Sequence, residues 1–136
     1  MAVARRRIAL DEGRAALTFW QAANAPGAGA ADAADAAGAG AQVPRSMLAT
    51  AVRYSLEEVT ARAPGNSVEV RVPPFGVTQC VEGPRHTRGT TPNVIECDAA
   101  TLLEMVSGRL SWANAVGAGR VAASGLRADL SGLLPL

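Results

Sequence analysis

Lysine is absent from this chain. All 13 basic residues are arginines, and 12 acidic residues bring the net charge to +1. A balance so close to zero argues against a dedicated nucleic-acid binder. Histidine occurs once, as His86, so one chain cannot assemble a metal site from several imidazoles, and neither metal nor cofactor is expected. The two cysteines, Cys80 and Cys97, form no Cys-x-x-Cys pair. They are too few for a disulfide scaffold and suit a reducing cytoplasm. No apolar run approaches the roughly 18 residues of a membrane span, so stable insertion is not expected. The opening MAVARRRIALDEGR has a basic patch without the apolar stretch of an export signal. P-loop, His-Glu-x-x-His and nucleophile-elbow patterns are all missing, and with them the usual marks of an enzyme.

What is present falls into three pieces. Of 37 apolar residues larger than alanine, 29 lie in residues 44–136, against seven in 1–23 and one in 24–43. Residues 1–23 form a leader. Its Leu10–Ala23 stretch reads as a helix, with Asp11 and Glu12 at its start and Leu10, Leu17 and Trp20 spaced to share a stripe; Gly13 weakens that helix. In residues 24–43, 14 of 20 are Ala or Gly, so the segment reads as a flexible linker with too little apolar surface to offset its ordering entropy. One modest core belongs to 44–136.

Within that domain Pro44 suits a helix start, and Leu48, Val52, Leu56 and Val59 lay a stripe along the helix, which Pro64-Gly65 ends. Val68, Val70 and Val72 alternate with charges as a half-buried strand, stopped by Pro73-Pro74. The alternation resumes, placing Phe75, Val77, Gln79 and Val81 on one face and Thr78, Cys80 and Glu82 on the other. A strand at 93–98 follows. Asp98 caps a helix with Leu102, Leu103 and Val106 on its buried side, and Ser111 caps a shorter one with Trp112, Ala115 and Val116. RVAAS (120–124) reads as a strand, and the leucines at 126, 130, 133 and 134 as a terminal helix. The implied class is α+β, a sheet of four to five strands covered on one face by helices.

Several polar positions carry two readings. Gln79, on an otherwise apolar face, is either a hydrogen-bonded edge residue or a polar contact inside a ligand cavity. Arg85, His86 and Arg88, in a loop with Gly83 and Gly89, either pair with Glu82 or Glu96 as a solvated turn or capture an anionic head group. Cys80 and Cys97 are buried thiols or a redox pair. Trp112 is a packing residue or a ligand clamp.

One stretch, IECDAATLLEMVSGRLSWANAVGAGRVAASG (95–125), resembles the C-terminal half of sterol carrier protein domains. The features carrying the resemblance are Asp98, Leu102-Leu103, the turn Ser107-Gly108-Arg109-Leu110, the run from Ala115 to Gly119-Arg120, and Gly125. Residues 49–76 with 83–96 are similar to small actinobacterial sterol-carrier-like proteins and to the C-terminal domain of mycothiol-dependent maleylpyruvate isomerase-type enzymes. The resemblance implies a sterol-carrier-like fold with an apolar tunnel between sheet and helices. Leu102, Leu103, Val106, Trp112 and Val116 would face Phe75, Val77 and Val81 across it, and Gln79, Arg85, His86 and Arg88 would meet a ligand's head group. The implied function is non-catalytic binding of a lipid or other small apolar molecule. The alternative is an accessory or protein-interaction domain with a filled core. The metal ligands of the isomerase-type enzymes belong to a separate helical domain, so activity is not expected here.

Overall fold

A computed structural model describes residues 6–25, 43–84 and 92–136. Helix α1 (Leu10–Ala23) is followed by α2 (Arg45–Arg62), strands β1 (Val68–Val72), β2 (Gly76–Cys80) and β3 (Asn93–Cys97), helices α3 (Ala99–Val106) and α4 (Trp112–Gly117), and strand β4 (Val121–Ser124). The linker reading falls on residues 26–42, outside the described residues, but Val43, read as its last member, is buried in the core.

The four strands form one mixed sheet in the order β2-β1-β3-β4. β1 and β2 are an antiparallel hairpin, β3 joins β1 in parallel, and β4 closes antiparallel on β3. Register decides which face is buried. Val68, Val70 and Val72 point inward, and their partners across the hairpin are Cys80, Thr78 and Gly76. Directly paired residues share a face, so on β2 the inward set is Gly76, Thr78 and Cys80. The sequence turned Phe75, Val77 and Val81 inward; within the strand that expectation is reversed at Val77, while Phe75 and Val81, just outside it, are half-buried against the core. Val77 is 60% exposed and pairs with Arg71 on the outer face, and Gln79 pairs there with Glu69. The reason is the closeness of α2. A side chain at Gly76 would press on Leu56, and the Thr60 hydroxyl bonds both the Thr78 hydroxyl (2.5 Å) and the Gln79 carbonyl (2.8 Å). Gly76 leaves room for Leu56, and the Thr78 hydroxyl gives Thr60 a hydrogen-bond partner that a valine would lack. Val81 adopts φ +62°, a left-handed conformation strained for a β-branched residue, and leaves the strand's alternation.

The core joins the inner sheet face to α2 and α3. Val52, Val59, Val68, Val70, Val72, Ile95, Leu102 and Leu103 have no exposed surface. Asp98 and Ser111 cap α3 and α4 as their positions imply, accepting the amides of Thr101 (2.8 Å) and Asn114 (3.1 Å). The terminal helix expected over 126–136 does not form. Residues 125–136 are turns instead. The Arg127 amide is drawn to the Oδ1 of buried Asn93 (2.9 Å), and the Asp129 side chain takes the Ser131 amide (2.8 Å). The local Asp129 acceptor and the distant Asn93 acceptor both compete with helix formation. Leu130 anchors the stretch in the core, while Leu126 is fully exposed.

Candidate functional site

The residues assigned to an apolar tunnel occupy three different settings. Leu102, Leu103 and Val106 lie inside, between 0% and 2% exposed, packed in one cluster with the β1 valines and Ile95. Phe75, Val81 and Trp112 are half-buried at the margins of that cluster. The Phe75 ring is covered by the Arg45 guanidinium at 5.2 Å, and the Phe75 carbonyl accepts from Arg53 Nε (2.9 Å). Val77 and Val116 face solvent, with Val116 42% exposed. These two are not part of an interior lining. On α4 it is Ala115 that turns inward, and its neighbour Val116 projects outward. Gln79 stands on the outer sheet face, on the opposite side from the buried layer. Arg85, His86 and Arg88 lie outside the described residues.

Several polar and thiol groups of the described domain hold its elements together or lie buried among them. Burial pushes the Cys80 thiol up to about 11 and the Cys97 thiol up to about 12, the latter with help from the Asp98 charge. Both therefore stay protonated and behave as small apolar residues. They stand on β2 and β3, which β1 separates. The Arg120 guanidinium ties β4 to α3 through Glu104 and the Thr101 hydroxyl (3.1 Å). Among the described residues no three His, Cys, Asp or Glu side chains come together as a metal site.

An open volume lies elsewhere, between α1 and α2. Glu12, Ala15, Ala16 and Phe19 line it from α1, and Ser46, Met47 and Thr50 from the first turns of α2, as an open groove of about 460 Å³. This is within the size range of small-molecule sites. Residues 12, 15, 16 and 19 recur at spacings of three, one and three, so they share one side of the helix. Ala15, Ala16, Phe19 and Met47 supply apolar surface; Glu12, Ser46 and Thr50 supply polar atoms. Phe19 is 44% exposed, an aromatic ring lying off the buried stripe of its helix. Sequence periodicity gave no sign of this groove beyond that off-stripe ring, because the volume exists only once α1 docks on α2.

A family profile described as a bacterial ortholog of SCP, the sterol carrier protein, matches residues 44–136. The chain belongs to this bacterial SCP family. No curated protein matches the sequence. The SCP domain thus runs from the start of α2 to the last residue, and α1 lies outside the matched region. The groove has one wall from each.

The contacts that seat α1 on the SCP domain are specific. Gly13 lets Tyr54 approach so closely that a methyl group there would overlap the Tyr54 ring. Ala16 and Trp20 complete the buried stripe, while Leu10, expected on it, is 39% exposed. At the leading end of α1 the Glu57 carboxylate accepts the amides of Arg7 (2.8 Å) and Ile8 (3.1 Å), and Arg6 pairs with Glu58 at 2.6 Å. At the trailing end Arg109, from the Ser-Gly-Arg-Leu turn of the SCP domain, donates to the carbonyls of Asn24 (2.7 Å) and Gln21 (2.6 Å). Its guanidinium also stacks 5.5 Å from the Trp20 ring.

Proposed function

We propose that this SCP-family protein is a non-catalytic binder of a small apolar or lipid-like molecule, held in the groove between α1 and α2. The observation that carries the reading is the groove itself, about 460 Å³ with Ala15, Ala16, Phe19 and Met47 as its apolar surface. Family membership supports apolar ligand binding in general. The tight burial of Leu102, Leu103 and Val106 favours the groove over the layer between sheet and helices. No helix among the described residues is long and apolar enough to cross a membrane, and the reading needs none.

The test is native mass spectrometry of the purified full chain with extraction of co-purifying lipid, alongside titration with the fluorescent fatty acid cis-parinaric acid. The double variant Phe19→Ser, Met47→Gln should weaken cis-parinaric acid binding about tenfold or more, since each lost apolar contact is worth roughly 1–3 kcal/mol. Absence of both extracted lipid and probe binding in the wild type would sink the reading. It would favour the accessory or protein-interaction domain, related to the C-terminal domain of mycothiol-dependent isomerases, which the filled sheet–helix interior supports.

A further inference from the structure

We propose that α1 is a latched lid on this groove, with Glu57 and Arg109 as its two latches, and that the helix lifts from the SCP domain as a unit to admit the ligand. This rests on the groove being the ligand site.

The geometry is that of a held helix rather than a fused one. Trp20 is the one large side chain of α1 that is buried; Gly13 and Ala16 beside it carry almost no apolar side chain, and Leu17 and Ala23 are half-buried. A helix of 14 residues is marginal in water by itself, so α1 owes its order to docking. Gly13, Ala16, Leu17 and Trp20 pack along its length, and its polar docking contacts sit at its two ends. A carboxylate meets the Arg7 and Ile8 amides just ahead of the leading end, and a guanidinium meets the Gln21 and Asn24 carbonyls at the trailing end. Each charge has the sign that suits its end of the helix dipole. Glu57 belongs to α2 and Arg109 to the turn after α3, so the frame holding α1 is the SCP domain, joined through its own core.

An element held by one narrow buried stripe and solvent-accessible end contacts opens before the core it sits on. Here that element is also a wall of the groove, supplying Glu12, Ala15, Ala16 and Phe19. Opening therefore converts a walled groove into a bare face of α2, and closing rebuilds the wall around whatever has entered.

Gly13 supplies a variant that separates docking from helix formation. Gly13→Ala strengthens the helix in isolation, yet its methyl group overlaps Tyr54 and opposes docking. Arg109→Ala removes the trailing latch without touching the groove.

The experiment is native-state hydrogen exchange on the full chain, paired with stopped-flow association of cis-parinaric acid. In the wild type, α1 amides should exchange at least about a hundredfold faster than those of β1 and β3, reporting a local opening. Arg109→Ala and Gly13→Ala should each speed α1 exchange about tenfold further, leave β1 and β3 unchanged, and raise the probe's association rate in proportion. Exchange of α1 in step with β1 and β3, or insensitivity of α1 to both variants, overturns the latch whatever the ligand does. Faster α1 opening with an unchanged association rate overturns the gating. Separate, variant-sensitive opening of α1 in a protein that binds no probe supports the latch and removes the lipid-binding reading instead.

Discussion

The carboxylate of Asp98 sits where β3 ends and α3 begins, and accepts the Thr101 amide at 2.8 Å. Burial alone would raise its pKa. The hydrogen bonds from Thr101 and the nearby Arg120 charge outweigh that, and hold it below the ordinary carboxylate value. A carboxyl group with a lowered pKa in the folded state stabilises the fold fully above its unfolded pKa, near 3.8, and loses that contribution as pH falls through the folded value. Asp98→Ala should therefore cost about 1 kcal/mol at pH 7. In urea denaturation curves the gap between wild type and variant should close below about pH 4. Such a cap was legible in the sequence, as was Ser111, because capping involves a residue and an amide only three positions away. Gly13 was not. In sequence it counts only as a helix breaker; its role is room for Tyr54, a residue far along the chain.

At the scale of elements, every described helix and strand up to Ser124 was legible from periodicity and punctuation, and the last segment was not. The β1 hairpin shows where that reading ends. Alternation in β2 was real, but alternation alone does not say which face turns inward. The register against β1 and the nearness of α2 choose Gly76, Thr78 and Cys80. The consequence is measurable. Val77→Thr should change stability by less than about 0.5 kcal/mol. Leu103→Ala, at a position with no exposed surface, should lose about 2–5 kcal/mol. Equal costs in urea melts of the two variants would contradict the assignment of faces.

At the scale of the whole molecule, buried Asn93 ties three parts of the chain together. Its amide donates to the Ser67 carbonyl (2.7 Å), and its oxygen accepts the Arg127 amide (2.9 Å). Asn93→Ala would leave both groups unpaired, at about 1–3 kcal/mol each. It should loosen residues 125–136 first, read as selective loss of protection at Arg127 in hydrogen exchange. The candidate site is likewise a product of assembly. Its walls come from α1 and α2, and Arg109, which secures α1, comes from the turn after α3. Of the residues proposed from sequence, Leu102, Leu103 and Val106 proved to be core, and Val77, Gln79 and Val116 outer surface.

By itself the sequence determined the class, the order of elements through Ser124, the caps, and membership of the SCP family through the pattern over 95–125. These rest on neighbours in the chain, where spacing is information. Only the tertiary structure decided the inward face of β2, the turns that replace a terminal helix, and the groove under α1. Each of those depends on which of two locally equivalent sides meets a distant partner, and local periodicity is blind to that choice.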